Sequence, residues 1–466
     1  MILTSQPDSG TAASDRASNP AWAWAPFAPS EGQPWTVRWA GHLYRRAGFG
    51  ATAKELQEAV TAGPQRTADR LLRPAGDVAA FNADFDKYEA AAANSDSTDG
   101  LRAWWLRRMI ETPHPLLEKM TLFWHSHLGL SRARVNSSKL MARHVQGLRR
   151  QALGNYRDML VAAFHEPSMF QGLEAEANRK AMLNLNIARQ LLEQYGPGPG
   201  GYHERDLRET ARAFTGWFVL RGELRFFERE HDDGPKTIAG QTGKWTAEDA
   251  VRIVLQSPAT AQHIVRKLYR WLISEADEPS AELLAPLAQS WAQDYNMGRV
   301  VERMLRSNLF FSTAAYGRRI KSPVEYAVGI VRALESSVPT TRLGHDLAQL
   351  GQNLYHPPTT GGWVGGRHWI NPATLVARHN FATDLLAAGG PYEGKLNPAA
   401  TAQRYGHKER LPAADFLLEL LLAGDVPPAL RETLRKPLEA DARTDLALSL
   451  RAFVHGVVTQ PEYQLC

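Results

Sequence analysis

Residues 178–237 read NRKAMLNLNIARQLLEQYGPGPGGYHERDLRETARAFTGWFVLRGELRFFEREHDDGPKT, and this stretch decides the fold class. Leu183, Ile187, Leu191 and Leu192 recur on one face of a first helix, with Asn186, Arg189 and Glu193 on another. The Gly/Pro run at 196–201 stops that helix, because glycine takes the left-handed C-cap and proline cannot continue it. Tyr202 or His203 opens a second helix, with Glu204 and Asp206 where the helix dipole favours acids. That helix is expected to run to about Gly216-Trp217. Phe218-Val219-Leu220 and Leu224-Arg225-Phe226-Phe227 then flank Arg221-Gly222-Glu223 as a short hairpin.

Outward from this block the pattern is helical. Periodicity predicts helices over 52–62, with Leu56 and Val60 inward, and over 67–72, 81–93, 101–111, 116–128, 139–153 and 156–165. Downstream they fall at 246–256, 260–274, 281–295, 300–307, 323–335, 343–350, 375–388, 413–422, 428–438 and 444–459. Residues 353–372 carry little helix signal and much Gly, Pro and Trp. The expected fold is therefore mainly α, a multi-helix array with a small β-hairpin insertion near residues 217–241. Connections are short and no period repeats, so a single intertwined helical body over 35–466 is expected, divisible at most into lobes of about 35–245 and 246–466. Residues 1–34, rich in Ser, Ala, Pro, Asp and Gly, read as a disordered or loosely attached tail, which Trp22, Trp24, Phe27 and Trp35 could strap to the body.

Composition narrows the function classes. A 44% hydrophobic and 22% charged chain of 466 residues can build a sizeable core. Its net charge of +5 is mild for this length, and no basic run interleaves with aromatics, so no nucleic-acid partner is expected. Arginine dominates the basic residues, which suits helix–helix pairs with carboxylates. The one cysteine, Cys466, rules out a disulfide or a Cys-based metal site within one chain. No apolar run is long enough for a membrane span. The N-terminus lacks a basic start followed by an apolar core, so the expected location is cytoplasmic.

Several constellations could carry chemistry. His125 and His127 flank Ser126, and on a helix they point about 200° apart, too far to share a metal without a break. One then belongs to the core beside Trp124 and the other to a cleft, with His144 as a third partner. His231-Asp232-Asp233-Gly234 with Lys236 is either an Asp-rich turn or a site. As a site, Asp232 orients His231, or His231, Asp232 and Asp233 hold a divalent metal. Glu193 is either a general acid/base or the partner of Arg189 one turn earlier. The glycine-rich stretch 361–371 is no phosphate loop. Its Trp363 and Trp369 either stack on a planar or sugar ligand or pin an Ω-like loop.

The motifs resemble a bacterial family, that of domain of unknown function 1800. Its members share an Asn-x-Asn-Phe-Ala-Arg-Glu-Leu-Leu-Glu helix, a Gly-x-Tyr-Thr-Glu-x-Asp helix start, an Ala-Arg-Ala-Phe-Thr-Gly-Trp end and a His-Asp-x-Gly-x-Lys-Thr loop. Residues 42–50, 123–127, Lys321-Ser322-Pro323, the stretch from Gly361 to Asn371, and Arg378 resemble its other signatures. Where the family's first helix has acids this chain has Leu185 and Gln190, which removes a carboxylate pair from that helix. The resemblance implies a frequent companion, a sulfatase-like exported protein, and members that are often exported themselves. It supplies candidate residues rather than a reaction. The expectation is a hydrolase or metal-assisted enzyme acting on a polymer or glycoconjugate, with His125, His127, His144, His231, Asp232 and Glu193 as catalytic candidates around one cleft. Asn186, Arg189, Trp217, Lys236, Trp363, Trp369 and Arg378 are the candidates for substrate contact. The competing expectation is a non-catalytic binding or scaffold protein whose aromatic loop near Trp363 grips a partner.

Overall fold

Side-chain caps and prolines start most of the helices. Thr52 and Glu55 form a capping box on helix Ala53–Ala62, Thr246 and Asp249 one on Ala247–Leu255, and Ser322 and Glu325 one on Pro323–Ala333. Pro115, Pro258 and Pro372 occupy the first turns of their helices, where the missing N–H costs nothing. The expected starts at 260 and 375 were therefore late, because these prolines open a helix and do not merely end the preceding segment. The computed structural model describes residues 17–74, 78–424, 426–440 and 445–466.

The fold is mainly α-helical, and among the described residues the sheets are two antiparallel hairpins. Trp217–Leu220 pairs with Glu223–Phe226 across Arg221-Gly222, both at positive φ, as a two-residue hairpin turn demands. Lys236–Ile238 pairs with Gln241–Gly243 across Ala239-Gly240 in the same way. The first hairpin lies where its alternation put it. The second, short and flanked by polar residues, was not foreseen.

One continuous apolar core links both halves of the chain, with Trp105, Trp124 and Trp291 wholly buried. Helices Pro115–His127 and Pro323–Ala333 are buried nearly all round, so they form the centre of the array. Buried ion pairs tie them together: Lys119 on the first meets Glu325 on the second, and Arg319 also reaches Glu325 at 3.2 Å. Beside the first, Glu118 accepts from Arg108 at 2.6 Å, Arg149 at 2.9 Å and the Trp105 indole at 2.8 Å. The arginine excess is thus partly spent inside, as expected.

Four expectations need correction. The first helix of the 178–237 block begins at Asn186, so Leu183 precedes it, and its second half winds as a π-helix over Leu191–Tyr195. The second helix ends at Ala213, short of Gly216-Trp217. The tail is firmly docked from residue 17 onward: the Trp24 indole donates to the Leu283 carbonyl at 2.6 Å, and Phe27 is buried against Phe311. Residues 1–16 lie outside the described residues. Val60, expected to point inward, is 40% exposed, while Leu56 is buried.

Candidate functional site

Helix Pro115–His127 delivers its two histidines to different surroundings without a break. The His125 ring lies 5.2 Å from Trp105 and 5.6 Å from both Tyr355 and Trp363. Its Nε2 accepts the Tyr355 backbone N–H at 3.1 Å. Burial drives its pKa down to about 3, with His144 and His356 adding to the effect. His144 is buried on helix Ser138–Gln151, and burial takes it down to about 4. Both rings are neutral and packed, and neither forms the wall of the cavity that His127 faces.

His127 belongs to a relay. Tyr156 donates its hydroxyl hydrogen to the Tyr195 carbonyl at 3.0 Å, so its oxygen must accept from His127 Nε2 at 3.2 Å. That fixes the proton on Nε2 and leaves Nδ1 as an acceptor, and Lys267 Nζ donates to it at 3.2 Å. Lys267 also donates to Gln194 Oε1 at 3.0 Å. Burial lowers the lysine to about 8, and His127 is held well below its usual value by burial and then by the charge of Lys267. The π-helical turn makes this geometry available, since Gln194 and Tyr195 both sit in it and both offer groups to the relay.

Lys267 and His127 line a cavity of about 210 Å³ that Trp363, Trp369 and Trp271 also wall. The glycine-rich loop is clamped over it. A side chain at Gly362, where φ is +81°, would place its Cβ 2.1 Å from the Ser126 carbonyl oxygen, so only glycine lets the loop lie on the end of helix Pro115–His127. Trp363 N–H donates to Ser126 Oγ at 3.3 Å, and Gln190 Nε2 donates to Thr360 Oγ1 at 2.8 Å from the other side. The two readings of this loop merge: it is pinned, and its tryptophans face a space a ligand can enter. Glu275 and Arg319 complete the polar wall, with the Arg319 guanidinium 4.6 Å over the Trp271 ring. Lys267, Gln194 and Glu275 were missed by sequence reasoning. The available signal was Lys267 itself, a lysine on the same stripe as Ile264, Leu268 and Trp271.

The aspartate-bearing loop stands apart from this cavity. Asp232 gives both oxygens to Arg212, at 2.7 and 3.0 Å, which holds its carboxyl below the usual range. His231 Nδ1 meets the Thr215 carbonyl at 2.9 Å, and buried Lys236 donates to the carbonyls of Asp232 and Gly234. Asp233 is exposed. Among the described residues no group of three or more His, Cys, Asp or Glu is placed to hold a metal. The divalent-metal expectation at His231, Asp232 and Asp233 therefore finds no donor set. The expected single cleft is also corrected: of its histidines and Asp232, only His127 lines the aromatic cavity.

The remaining candidates brace the fold. Glu193 pairs with Arg189 at 3.3 Å and accepts from the Tyr202 hydroxyl at 2.8 Å. Asn186 Nδ2 donates to the Leu173 carbonyl at 3.0 Å. Trp217 packs 5.1 Å from Phe226 in the first hairpin. Arg378, buried, donates to Gln464 and to the Lys321 carbonyl, both at 2.7 Å, and burial lowers it to about 10. No helix of the described residues is long and apolar enough to cross a membrane.

No curated protein and no solved structure matches this chain. The family model described as "Protein of unknown function (DUF1800)" matches residues 42–465, the span that carries the relay, the clamped loop and the aspartate loop, so the chain belongs to that family.

Proposed function

We infer that the tryptophan-walled cavity binds a ring-bearing segment of a polymer or glycoconjugate and that Lys267 moves a proton there in hydrolase-type chemistry. The carrying observation is the Lys267–His127 contact on that wall: an amine lowered to about 8 against a neutral imidazole whose tautomer is fixed. Such a lysine can give or take a proton near neutral pH, which an ordinary surface lysine cannot. Trp363 and Trp369 supply the large apolar faces on which a sugar ring stacks. His127 acts as a positioning residue for the amine, and Glu275 is the carboxylate on the same wall.

The test is a panel of polysaccharides and glycoconjugates followed by tryptophan fluorescence and by product release. A bound member of the panel should be turned over by wild type, bound but not turned over by Lys267→Met, and lost by Trp363→Ala. Turnover by Lys267→Met at the wild-type rate removes the acid–base role. A second reading, a binding protein for a partner such as a sulfatase-like companion, is favoured by Val364, which stands 75% exposed on the clamped loop. Binding without turnover by the wild type selects it.

A further inference from the structure

A separate cavity of about 390 Å³ is walled by Arg45, Arg318, Lys321, Glu462 and Cys466, none of which lines the aromatic cavity. Lys321 is only 4% exposed, yet its amine has neither an ion pair nor a hydrogen bond among the described residues. It rests 3.4 Å from the centre of the Tyr463 ring. The neighbouring carboxylate of Glu325 is already committed to Lys119, to Arg319 at 3.2 Å and to the Ser322 N–H at 2.8 Å.

The two arginines are equally uncommitted. Arg45, on helix Val37–Ala47, donates only to the Tyr316 hydroxyl at 3.4 Å, and its Nε has no partner. Arg318 reaches the Thr313 carbonyl at 3.5 Å and makes no ion pair among the described residues. Arg45 and Lys321 are close enough to repel: the amine is pushed far below the lysine range by burial and then by Arg45, against the pull of Cys466 and Glu325. Glu462, the acidic side chain on this wall, is exposed and pairs with none of the three. A buried amine held short of its charge by burial and by Arg45 recovers that charge when an anion enters beside it, and the exposed Arg318 adds a second donor at the mouth.

We propose that this cavity binds a small oxyanion, a phosphate or a carboxylate group, held by Lys321 Nζ and the Arg45 guanidinium with Arg318 at its rim. The cavity also holds apolar surface from Leu421 and Leu422, so the anion can be the head of a larger molecule.

The experiment titrates the full chain with inorganic phosphate and, separately, malonate, by calorimetry and thermal melting, at ionic strength matched with chloride. One or both anions should bind saturably and raise the Tm, and whichever binds names the class. Lys321→Met and Arg318→Ser should each weaken that binding about 10-fold or more, the loss of one charge-assisted contact. Glu462→Gln should tighten it, an effect that a merely structural residue would not produce. If Lys321→Met fails to fold, the rim pair Arg318→Ser and Glu462→Gln decides the matter, since both residues are exposed. The proposal is overturned if neither anion binds beyond the chloride control, or if binding is the same in wild type and in the folded variants.

Discussion

Glu118→Gln should destabilise the protein more than almost any other isosteric change. The carboxylate is 0% exposed and receives Arg108 Nε at 2.6 Å, Arg149 at 2.9 and 3.2 Å, and the Trp105 indole at 2.8 Å. Glutamine keeps one acceptor oxygen and turns an NH₂ toward two guanidiniums, which stay charged in the core. Breaking a buried ion pair costs about 3–5 kcal/mol, and with two cations left uncompensated the value should lie near the top, about 5 kcal/mol. Against a total stability on the order of 5–15 kcal/mol, that is a large share. The assay is urea unfolding followed by tryptophan fluorescence, with Asp84→Asn as control, because Asp84 and Lys87 pair with side chains 72% and 75% exposed. The reasoning is refuted if the two variants unfold at the same urea concentration. It also requires that Glu118→Leu with Arg108→Met and Arg149→Met recover most of the loss, since the cost lies in unpaired charge rather than in missing contact.

Other outcomes follow from the same contacts. His125 and His144 fold with pKa values of about 3 and 4 against an unfolded 6.5, so their stability is fully present above pH 6.5 and is lost as pH falls toward those values. At pH 5 each costs about 2 kcal/mol, while Glu89, raised to about 7 by burial, runs the opposite way and offsets about one of them; urea midpoints at pH 7 and pH 5 should show a net loss. Gly362→Ala should displace the clamped loop and abolish ligand binding in the aromatic cavity, whereas Gly406→Ala, with positive φ but nothing within 4 Å, should cost only backbone strain, as paired melts and binding assays will show. Asp232→Asn should loosen the 231–236 loop, seen as faster hydrogen exchange there, and leave binding in the aromatic cavity intact.

The helices were legible because their burial is local in the sequence: the stripe Ile264, Leu268, Trp271 and Leu272 declares both the helix and its inner face. The first hairpin was legible from its two apolar runs. The candidate site was half legible. His127, Trp363 and Trp369 do share a cavity, and the separation of His125 from His127 follows from helical period alone. What the chain conceals is commitment. His231, Asp232 and Lys236 look reactive in a row, but Arg212, Thr215 and the loop's own carbonyls occupy them. Lys267 sits on an apolar stripe, but nothing near it in sequence names its partners, Gln194 and His127, which come to meet it from far along the chain. Arg212 was likewise invisible as a brace, because pairing over 20 residues leaves no periodic trace.

The five-residue wide turn Leu191–Tyr195 has a consequence for how this chain can change length. Removing one residue there would let the segment regularise and gain tighter backbone bonding, so deletion mutants should be sturdier. Residues beyond the cut would keep their phase, because a wide turn and an α turn each close about one revolution, but the turn that carries Gln194 and Tyr195 would narrow. Gln194 would then swing away from Lys267, and the Tyr195 carbonyl away from Tyr156. The irregular coil stores one extra residue, and a sturdier, shortened protein should be one that has lost the grip of Gln194 on Lys267.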